Sequence, residues 1–228
     1  MKEYRQHRFE RPKGATEILL VRHGESEAAI PGKPFPLVEG QGDPALAETG
    51  RKQAQKVGER LRHLPIDAVY VTSLRRTHET AAPLCEHLEL GSRIEADLRE
   101  VHLGDWEGGV LRVKVHEQDP IYQRMQEEQR WNVIPGAESW EELDERIQRG
   151  LARIAAGHPD QLVVAVVHGG VIGHIFASAT GATPFAFNGA DNGSISHVVM
   201  VEGQMIVRRF NDTSHLDESI SGGQQLPT

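Results

Sequence analysis

Two histidines, each followed by glycine, stand directly after the most apolar runs of the chain. His23 follows the run 18–21 with Arg22 between them, and His168 follows the run 162–167. Apolar runs of this length that end at a turn residue are typical of buried parallel strands. Open α/β folds bind their ligands at the carboxyl ends of such strands. A guanidinium and imidazoles at that edge could bind and attack a phosphoryl group, so the pattern predicts one shared site.

Further charged residues lie where other predicted elements begin or end. Arg75 and Arg76 follow the apolar run 67–71, at the start of a predicted helix. A helix start offers free backbone N–H groups and a favourable dipole for anions. Glu100 lies in a glycine-punctuated loop, and glycines there indicate the close backbone turns that active-site loops often need. Asp105 and Glu107 in the same loop are the competing carboxylates, of which we expect Glu107 to orient the loop.

Length, composition and charge are those of a soluble globular protein. The chain has 228 residues, 38% of them hydrophobic and 25% charged, with a net charge of −8. This net negative charge argues against general nucleic-acid binding, because proteins that bind nucleic acids usually have positively charged surfaces. A single cysteine, Cys85, allows no intramolecular disulfide and is compatible with the cytoplasm. The charged start has no apolar core of a signal peptide, and no run is long enough to span a membrane. We therefore expect a cytoplasmic protein.

Hydrophobic spacing and capping signals predict alternating strands and helices. Helices are expected over 47–63, 74–87 with Ser73 as the cap, 139–157 with a capping box from Ser139, and 170–180. Strands are expected over 18–21, 67–71 and 162–167, and a β-hairpin over 194–210. This order predicts an α/β three-layer sandwich with a mostly parallel central sheet, helices on both faces and a C-terminal β-hairpin.

Two segments fall outside this alternation. Residues 29–44 are rich in proline and glycine and are expected to form a loop, and residues 108–135 are expected to form an inserted helical lid. We expect a flexible N-terminal arm over 1–13, one domain over 14–212 and a disordered tail over 213–228, because both ends are polar.

Five motifs in a fixed order resemble the histidine phosphatase superfamily, which includes the phosphoglycerate mutases. They are 20–26 (LVRHGES), continued by Gln41-Gly42, Leu46 and Gly50; Ser73-Leu74 with Arg76 and Thr80-Ala81; Leu98 and Glu100 with Gly104 and Trp106-Glu107-Gly108; Pro135-Gly136 with Glu138-Ser139; and 167–170 (VHGG). The resemblance covers roughly residues 16–210. One position departs from the pattern: many members carry a substrate-binding asparagine where this chain has Ala29.

The resemblance implies a role for each matching residue. His23 would be the nucleophile that becomes phosphohistidine, and Glu100 would protonate the leaving oxygen and later activate water. Arg22, Arg76 and His168 would bind the transferred phosphoryl oxygens. The further phosphate or substrate contacts would be Ser26, Gln41, Gly42 and Gly169. A helix cap is the alternative for Ser26, and ordinary turn residues are the alternative for Gln41 and Gly42. The chemistry is consistent with the residue types, since phosphoryl transfer mainly requires positioned cations.

Three functions stay open from the sequence. The favoured one is a metal-independent phosphatase acting on small phosphomonoesters. The first alternative is a phosphoglycerate mutase, which would use 2,3-bisphosphoglycerate as cofactor; the lid is short and carries four carboxylates that we expect to repel a doubly charged substrate. The second is a non-catalytic protein of the same fold that binds a phosphorylated ligand. A loose pocket would accept several phosphomonoesters alike, although Tyr122 and Trp131 could favour ring-bearing ones.

Other chemistries and partners are not supported by any motif. Cys85 lies mid-helix without the arginine that a cysteine phosphatase loop needs, and it is expected to be a core residue. The histidines include no metal-binding pair, and no phosphate-binding glycine loop of the nucleotide-triphosphatase type occurs. The predicted partner is a small phosphorylated substrate or inorganic phosphate, with no metal, nucleic acid or membrane; a homodimer stays open.

Overall fold

The computed structural model describes residues 3–216, in which strands and helices alternate much as the sequence predicts. The strands are β1 (Thr16–Arg22), β2 (Leu37–Val38), β3 (Gln41–Gly42), β4 (Ile66–Val71), β5 (Ser92–Ile94), β6 (Leu162–Val167), β7 (Ile195–Val201) and β8 (Gln204–Asp212). The α-helices are α1 (Glu48–Leu61), α2 (Arg75–Leu88), α3 (Val110–His116), α4 (Pro120–Glu128), α5 (Trp140–Gly157) and α6 (Gly169–Thr180). The short strands β2, β3 and β5 were not predicted, because none contains an apolar run.

The central sheet places the two histidine-bearing strands side by side. Its strand order is β5-β4-β6-β1-β7-β8, with β1, β4, β5 and β6 parallel and β7 antiparallel to β1. In the β1–β6 register Arg22 is opposite Val167. The next residues along the two strands are therefore His23 and His168, and the His23 amide donates to the Val167 carbonyl at 3.0 Å. This register brings the two predicted histidines to one edge.

Two apolar layers cover the sheet and confirm the predicted three-layer sandwich. Alternate residues of β6 face opposite sides, as the two-residue period of a strand requires. Val163 and Ala165 pack in a cluster with residues of α5 and α6, whereas Val164 and Val166 pack in a second cluster with residues of α1 and α2. The strand is an unbroken apolar run because both of its faces are buried. The β7–β8 pair forms the predicted hairpin at one edge of the sheet.

Of the two predicted side-chain caps at helix starts, one is present and the other is not. Ser139 and Glu142 form the predicted capping box at the start of α5. The predicted Ser73 cap is wrong: α2 has no side-chain cap, and the Ser73 hydroxyl is buried without a partner among the described residues. The turn before α2 is closed by threonines instead, since the Thr72 amide donates to the Thr77 hydroxyl at 3.1 Å. Serine propensity alone could not distinguish these neighbouring hydroxyls.

The predicted lid is present as α3, α4 and a 3₁₀ turn over Trp131–Val133. Asp119 caps α4 by accepting from the Ile121 amide at 2.9 Å, and Pro120 occupies the first turn. The lid has a small core of its own, made of Trp106, Val115, Tyr122, Met125, Val133 and Ile134. The segment 29–44 is the predicted loop, except that β2 and β3 pair across a turn within it.

The two chain termini were predicted to be a flexible arm and a disordered tail, and parts of both make contacts with the rest of the fold. Residues 3–13 form neither helix nor strand, and the Arg208 guanidinium lies 3.8 Å from the centre of the Phe9 ring. Residues 213–216 do not behave as the predicted disordered tail, because Leu216 is buried and the His215 ring bonds to the Gly193 carbonyl. The rest of that predicted tail, 217–228, lies outside the described residues. Within residues 3–216 no helix is both long enough and apolar enough to cross a membrane.

A glycine contact sets the packing between α1 and the loop that carries His23. A Cβ added at Gly50 would lie 1.9 Å from the Glu25 carbonyl oxygen, so only glycine allows this approach. We expect Gly50→Ala to destabilise the fold by about 1–3 kcal/mol, which lowers the melting temperature by about 2–12 °C. Calorimetry checks this. Gly157→Ala is the control, since a Cβ there meets no atom within 4 Å; equal melting temperatures for the two variants would contradict the contact's importance.

Candidate active site

His23 lies at the floor of a cavity with one ring nitrogen fixed as a donor. It is buried, and its Nδ1 is 2.7 Å from the Gly24 carbonyl oxygen. Because a carbonyl can only accept, Nδ1 must carry the proton and Nε2 must hold the lone pair. Arg76 Nε donates to this Nε2 at 3.1 Å. The ring is therefore oriented with its nucleophilic nitrogen beside a cation.

Two arginines flank the His23 ring. The Arg22 guanidinium donates to the Ala190 carbonyl, and Arg76 donates to the Gly42 carbonyl at 2.9 Å. Burial lowers the pKa of both arginines, that of Arg76 to about 10. Burial, followed by the charges of Arg76 and Arg22, holds the pKa of His23 well below its usual value. At neutral pH the site thus combines charged guanidinium groups with a neutral imidazole.

Of the two neighbouring arginines at the start of α2, only one faces the cavity. Arg75 is exposed and donates to Glu79 at 2.5 Å, one turn along the same helix. Arg76 is buried against His23. The structure therefore places Arg76, and not Arg75, in the site.

His168 lies beside His23 with one nitrogen still unpaired. The two ring centres are 5.2 Å apart. His168 Nε2 is 3.0 Å from the Thr72 hydroxyl, whereas Nδ1 is buried and has no partner among the described residues. Burial, together with the charge of Arg76, lowers the pKa of His168 well below its usual value. If Thr72 donates to Nε2, Nδ1 carries the proton and can donate to a phosphoryl oxygen. Sequence reasoning missed Thr72, which has no sequence signal beyond its place after β4.

Glu100 is the carboxylate that the loop after β5 delivers to the cavity. Its Oε1 accepts from the Val101 amide at 3.0 Å and its Oε2 from the Gly170 amide at 3.4 Å. Glu107 also lines the cavity, but both of its oxygens are occupied by the amides of Leu103 and Gly42 at 2.8 Å. The third carboxylate of this loop, at position 105, is exposed. These contacts agree with the prediction that Glu107 orients the loop.

A partly buried arginine that sequence reasoning missed holds the Glu100 loop in place. Arg146 of α5 pairs with Glu138 at 2.6 Å and donates to the carbonyls of Asp97, Arg99 and Glu100. One guanidinium thus fixes three backbone positions of the loop. In the sequence Arg146 looks like an ordinary surface residue of an amphipathic helix, and the only hint of its role is the acidic residue eight positions earlier.

Glycines allow the closest approaches in the site. A Cβ at Gly169 would lie 3.2 Å from Arg22 Nε, so this glycine gives the guanidinium its space. A Cβ at Gly170 would lie 2.7 Å from Glu100 Oε1, a contact that sequence reasoning also missed.

The remaining predicted phosphate or substrate contacts mainly support other groups. Gly42 lines the cavity, but its amide donates to Glu107 and its carbonyl accepts from Arg76. Gln41 donates to the Glu100 carbonyl, which leaves its buried Oε1 as an unpaired acceptor. Ser26 caps no helix, and its hydroxyl accepts from Arg112 at 2.7 Å.

The walls of the cavity above this charged floor are largely apolar. They include Phe35, Val101, Leu103, Trp106, Leu111, Val115, Tyr122, Met125 and Trp131. The prediction that the lid's carboxylates repel an anionic substrate is wrong, because none of them lines the cavity. Asp119 and Glu117 pair with Lys114, and Glu128 pairs with Arg124 and Arg130, away from it. Composition could not reveal which way these side chains face.

Taken together, these groups can bind a phosphoryl group and attack it. Arg22 and Arg76 line the cavity together with His23, and the His168 ring lies beside that of His23 with centres 5.2 Å apart. Glu100 lies at hydrogen-bonding distance from the helix start that follows His168. Within residues 3–216 no cluster of three or more potential metal-binding side chains occurs. Positive charge at this floor therefore comes from arginine side chains.

Comparisons with known proteins agree with this chemistry. A family model described as the histidine phosphatase superfamily (branch 1) matches residues 18–213. The chain is 33% identical over 205 residues to a metal-independent phosphoserine phosphatase of Arabidopsis thaliana, covering 88% of this chain and 83% of that one. It is 34% identical over 209 residues to phosphoglycerate mutase-like protein 4 of the same plant, covering 89% and 88%. The solved structure of a mycobacterial glucosyl-3-phosphoglycerate phosphatase matches with a TM-score of 0.72 and 28% identity, covering 87% and 100%.

The lowered pKa of His23 has a testable cause. We expect an NMR titration of the ligand-free protein to find the His23 pKa well below 6.5, because burial and two cations disfavour the imidazolium. Arg76→Met should raise this pKa, since it removes a positive charge that repels the added proton. Arg75→Met, at the exposed neighbour, should leave it unchanged. A wild-type pKa at or above 6.5, or equal shifts in both variants, would contradict this electrostatic account.

Proposed function

The chain belongs to branch 1 of the histidine phosphatase superfamily, and from this premise we propose that it is a metal-independent phosphatase acting on small phosphomonoesters. The observation that carries the proposal is the geometry at His23. Its Nδ1 proton is held by the Gly24 carbonyl, and its Nε2 lone pair lies beside Arg76 at the cavity floor. A neutral, oriented imidazole among guanidinium groups is suited to attack a bound phosphoryl group.

The reaction proceeds in two steps that share one carboxyl group. In the first, His23 Nε2 forms a bond to phosphorus as the ester P–O bond breaks, and Glu100 gives its proton to the leaving oxygen. In the second, Glu100 takes a proton from water as the water oxygen attacks phosphorus and the P–N bond breaks. Arg22, Arg76 and His168 stabilise the charge on the equatorial oxygens in both steps. The products are an alcohol and inorganic phosphate, and His23 returns to its neutral form.

Two alternative functions fit the site less well. A phosphoglycerate mutase must hold a second acidic group, yet three of the four lid cations, at positions 114, 124 and 130, are paired with carboxylates away from the cavity. Arg112 is the one lid cation that lines it. A protein that only binds phosphorylated ligands would need the arginines. It would not need an oriented nucleophile or a carboxyl group near that nucleophile. Hydrolysis uses all of these groups. Adding 2,3-bisphosphoglycerate to 3-phosphoglycerate should therefore give negligible mutase turnover.

Trapping the intermediate tests the proposed function. In buffer containing EDTA, wild-type protein should hydrolyse p-nitrophenyl phosphate and form an acid-labile, base-stable phosphoenzyme. His23→Ala should abolish the phosphoenzyme and lower kcat by about 10⁴-fold or more, because it removes the nucleophile. His168→Ala, which removes a phosphoryl contact, should lose about 10²–10³-fold and still carry its label on residue 23.

Two results would contradict the proposal. Labelling of the His23→Ala variant would place the nucleophile on another residue. Activity that EDTA abolishes and one divalent ion restores would exclude a metal-independent mechanism.

Substrates with different leaving groups test whether Glu100 is the proton donor. We expect Glu100→Gln to slow hydrolysis of alkyl phosphates far more than that of p-nitrophenyl phosphate, because a nitrophenolate leaves without much protonation. Steady-state kcat/KM for both substrates measures the difference. Asp105→Asn, in the exposed part of the same loop, is the matched control and should affect neither substrate. Equal losses for both substrates in Glu100→Gln would assign Glu100 to binding or structure instead.

The apolar walls also predict which phosphomonoesters are preferred. 1-Naphthyl phosphate should have a kcat/KM about 10-fold above that of phosphoserine, since each aromatic contact contributes on the order of 1 kcal/mol. Trp131→Ala should remove much of this advantage without changing inhibition by inorganic phosphate. Trp140→Ala is the control, because Trp140 packs on His174 and does not line the cavity. Apolar contacts discriminate weakly, so a single substrate preferred by about 10⁴-fold would contradict this interpretation of the pocket.

A further inference from the structure

One charged side chain of the lid does face the cavity. Arg112 on α3 lies among the residues that line it, together with Arg22, His23 and Arg76. From its contacts we infer that Arg112 is a further phosphoryl-binding residue, delivered by the lid to the nucleophile. This inference rests on the proposed phosphatase function and adds a residue that sequence reasoning missed.

The partners of Arg112 belong to the nucleophile loop and not to the lid. Its Nη1 donates to the Glu27 carbonyl at 2.7 Å, and its Nη2 donates to the Ser26 hydroxyl at 2.7 Å. Ser26 lies three residues after His23 on the same loop and is itself buried. The guanidinium is thus fixed to the segment that carries the nucleophile, although its backbone belongs to α3. These contacts explain why Ser26 is buried and polar without lining the cavity.

Both partners are neutral, so the charge of Arg112 is not balanced by them. Among residues 3–216, no carboxylate lies within 4 Å of the guanidinium, whereas Lys114, two residues along the same helix, pairs with Asp119 at 3.0 Å. Burial lowers the pKa of Arg112, and the opposing charge that acts on it is that of Glu25. Of the five N–H groups of an arginine, the two described bonds use two. The guanidinium makes no other hydrogen bond among residues 3–216, and its Cζ lies 5.5 Å from the centre of the Phe35 ring, which lines the same cavity.

The charge of Arg112 acts on the same groups that surround the nucleophile. It contributes to the lowered pKa values of Arg22, His23 and Arg76. Arg112 also lines the same cavity as these three groups. A bound phosphoryl dianion would be attracted by Arg112 as well as by the two floor arginines, and its oxygens accept forked hydrogen bonds of the kind that guanidinium groups offer.

The same region contains the position where the sequence departs from its family. A Cβ at Gly109, at the start of α3, would lie 3.1 Å from the Ala29 Cβ and 2.8 Å from the Phe35 ring. The start of the lid helix therefore packs directly over Ala29, and Gly109 has a φ of +97° that favours glycine there. Small residues at 29 and 109 let α3 approach the nucleophile loop. Arg112 is the polar group that this approach brings in where Ala29 offers none.

Inhibition by inorganic phosphate tests this inference, because phosphate lacks the remainder of a substrate. Arg112→Met should raise the inhibition constant of phosphate against p-nitrophenyl phosphate by about 10- to 100-fold, the loss expected for charge-assisted hydrogen bonds. Arg112→Lys should recover part of this loss, since it restores the charge without the fork. Lys114→Met, on the outward side of the same helix, should change the constant less than 2-fold. Melting temperatures close to that of wild type establish that each variant is folded.

The possible outcomes separate this inference from the function on which it rests. If Arg112→Met leaves phosphate inhibition unchanged but weakens carboxylate-bearing substrates such as phosphoserine, Arg112 binds the remainder of the substrate and the inference is wrong. If neither changes, Arg112 only fastens the lid, which also overturns it. If wild-type protein neither hydrolyses phosphomonoesters nor binds phosphate, the proposed function fails together with this inference.

Discussion

Burial of guanidinium groups beside a neutral imidazole is the constraint on which the site depends. Arg22 and Arg76 flank His23, and burial lowers the pKa of all three groups. The backbone carbonyl of Ala190 accepts a hydrogen bond from Arg22, and the Gly42 carbonyl and His23 Nε2 accept hydrogen bonds from Arg76. These neutral acceptors orient the two guanidinium groups. An arriving phosphoryl dianion therefore meets an electrostatic field that is already organised for it.

Such a cluster is unfavourable unless the surrounding loops are held rigidly, and contacts outside the reacting centre do this. Arg146 binds three carbonyls of the Glu100 loop together with Glu138, and both oxygens of Glu107 hold backbone amides. The α1 backbone approaches the nucleophile loop so closely at Gly50 that no side chain fits. The charges that fasten the site are thus separate from the charges that face the substrate, so that each set can be paired or left unpaired as its task requires.

The parts of this arrangement that the sequence could predict are those set by local pattern. β1 and β6 are continuous apolar runs because both their faces are buried, and the residues that follow such runs must reach the sheet edge. The directions of the lid charges could not be predicted, since α3 is only seven residues long. Its Lys114 pairs with Asp119 beyond its end, whereas its Arg112 bonds to the distant Ser26. Arg146 and Thr72 were missed for a related reason: their partners, backbone carbonyls for Arg146 and the His168 ring for Thr72, are distant in sequence and leave no local pattern.

The division between a charged floor and apolar walls determines what the site can discriminate. In the proposed reaction the cations beside His23 would act on the phosphoryl group, which all phosphomonoesters share, whereas the walls above them are largely apolar. Charge stabilisation at the phosphoryl group grows in the transition state, so it accelerates the reaction of any ester that fits. Contacts with the apolar walls are similar before and during the reaction, and they mainly affect binding. The charged groups of the cavity floor and the apolar side chains of its walls, such as Trp131 and Leu111 of the lid, are thus separate sets of residues.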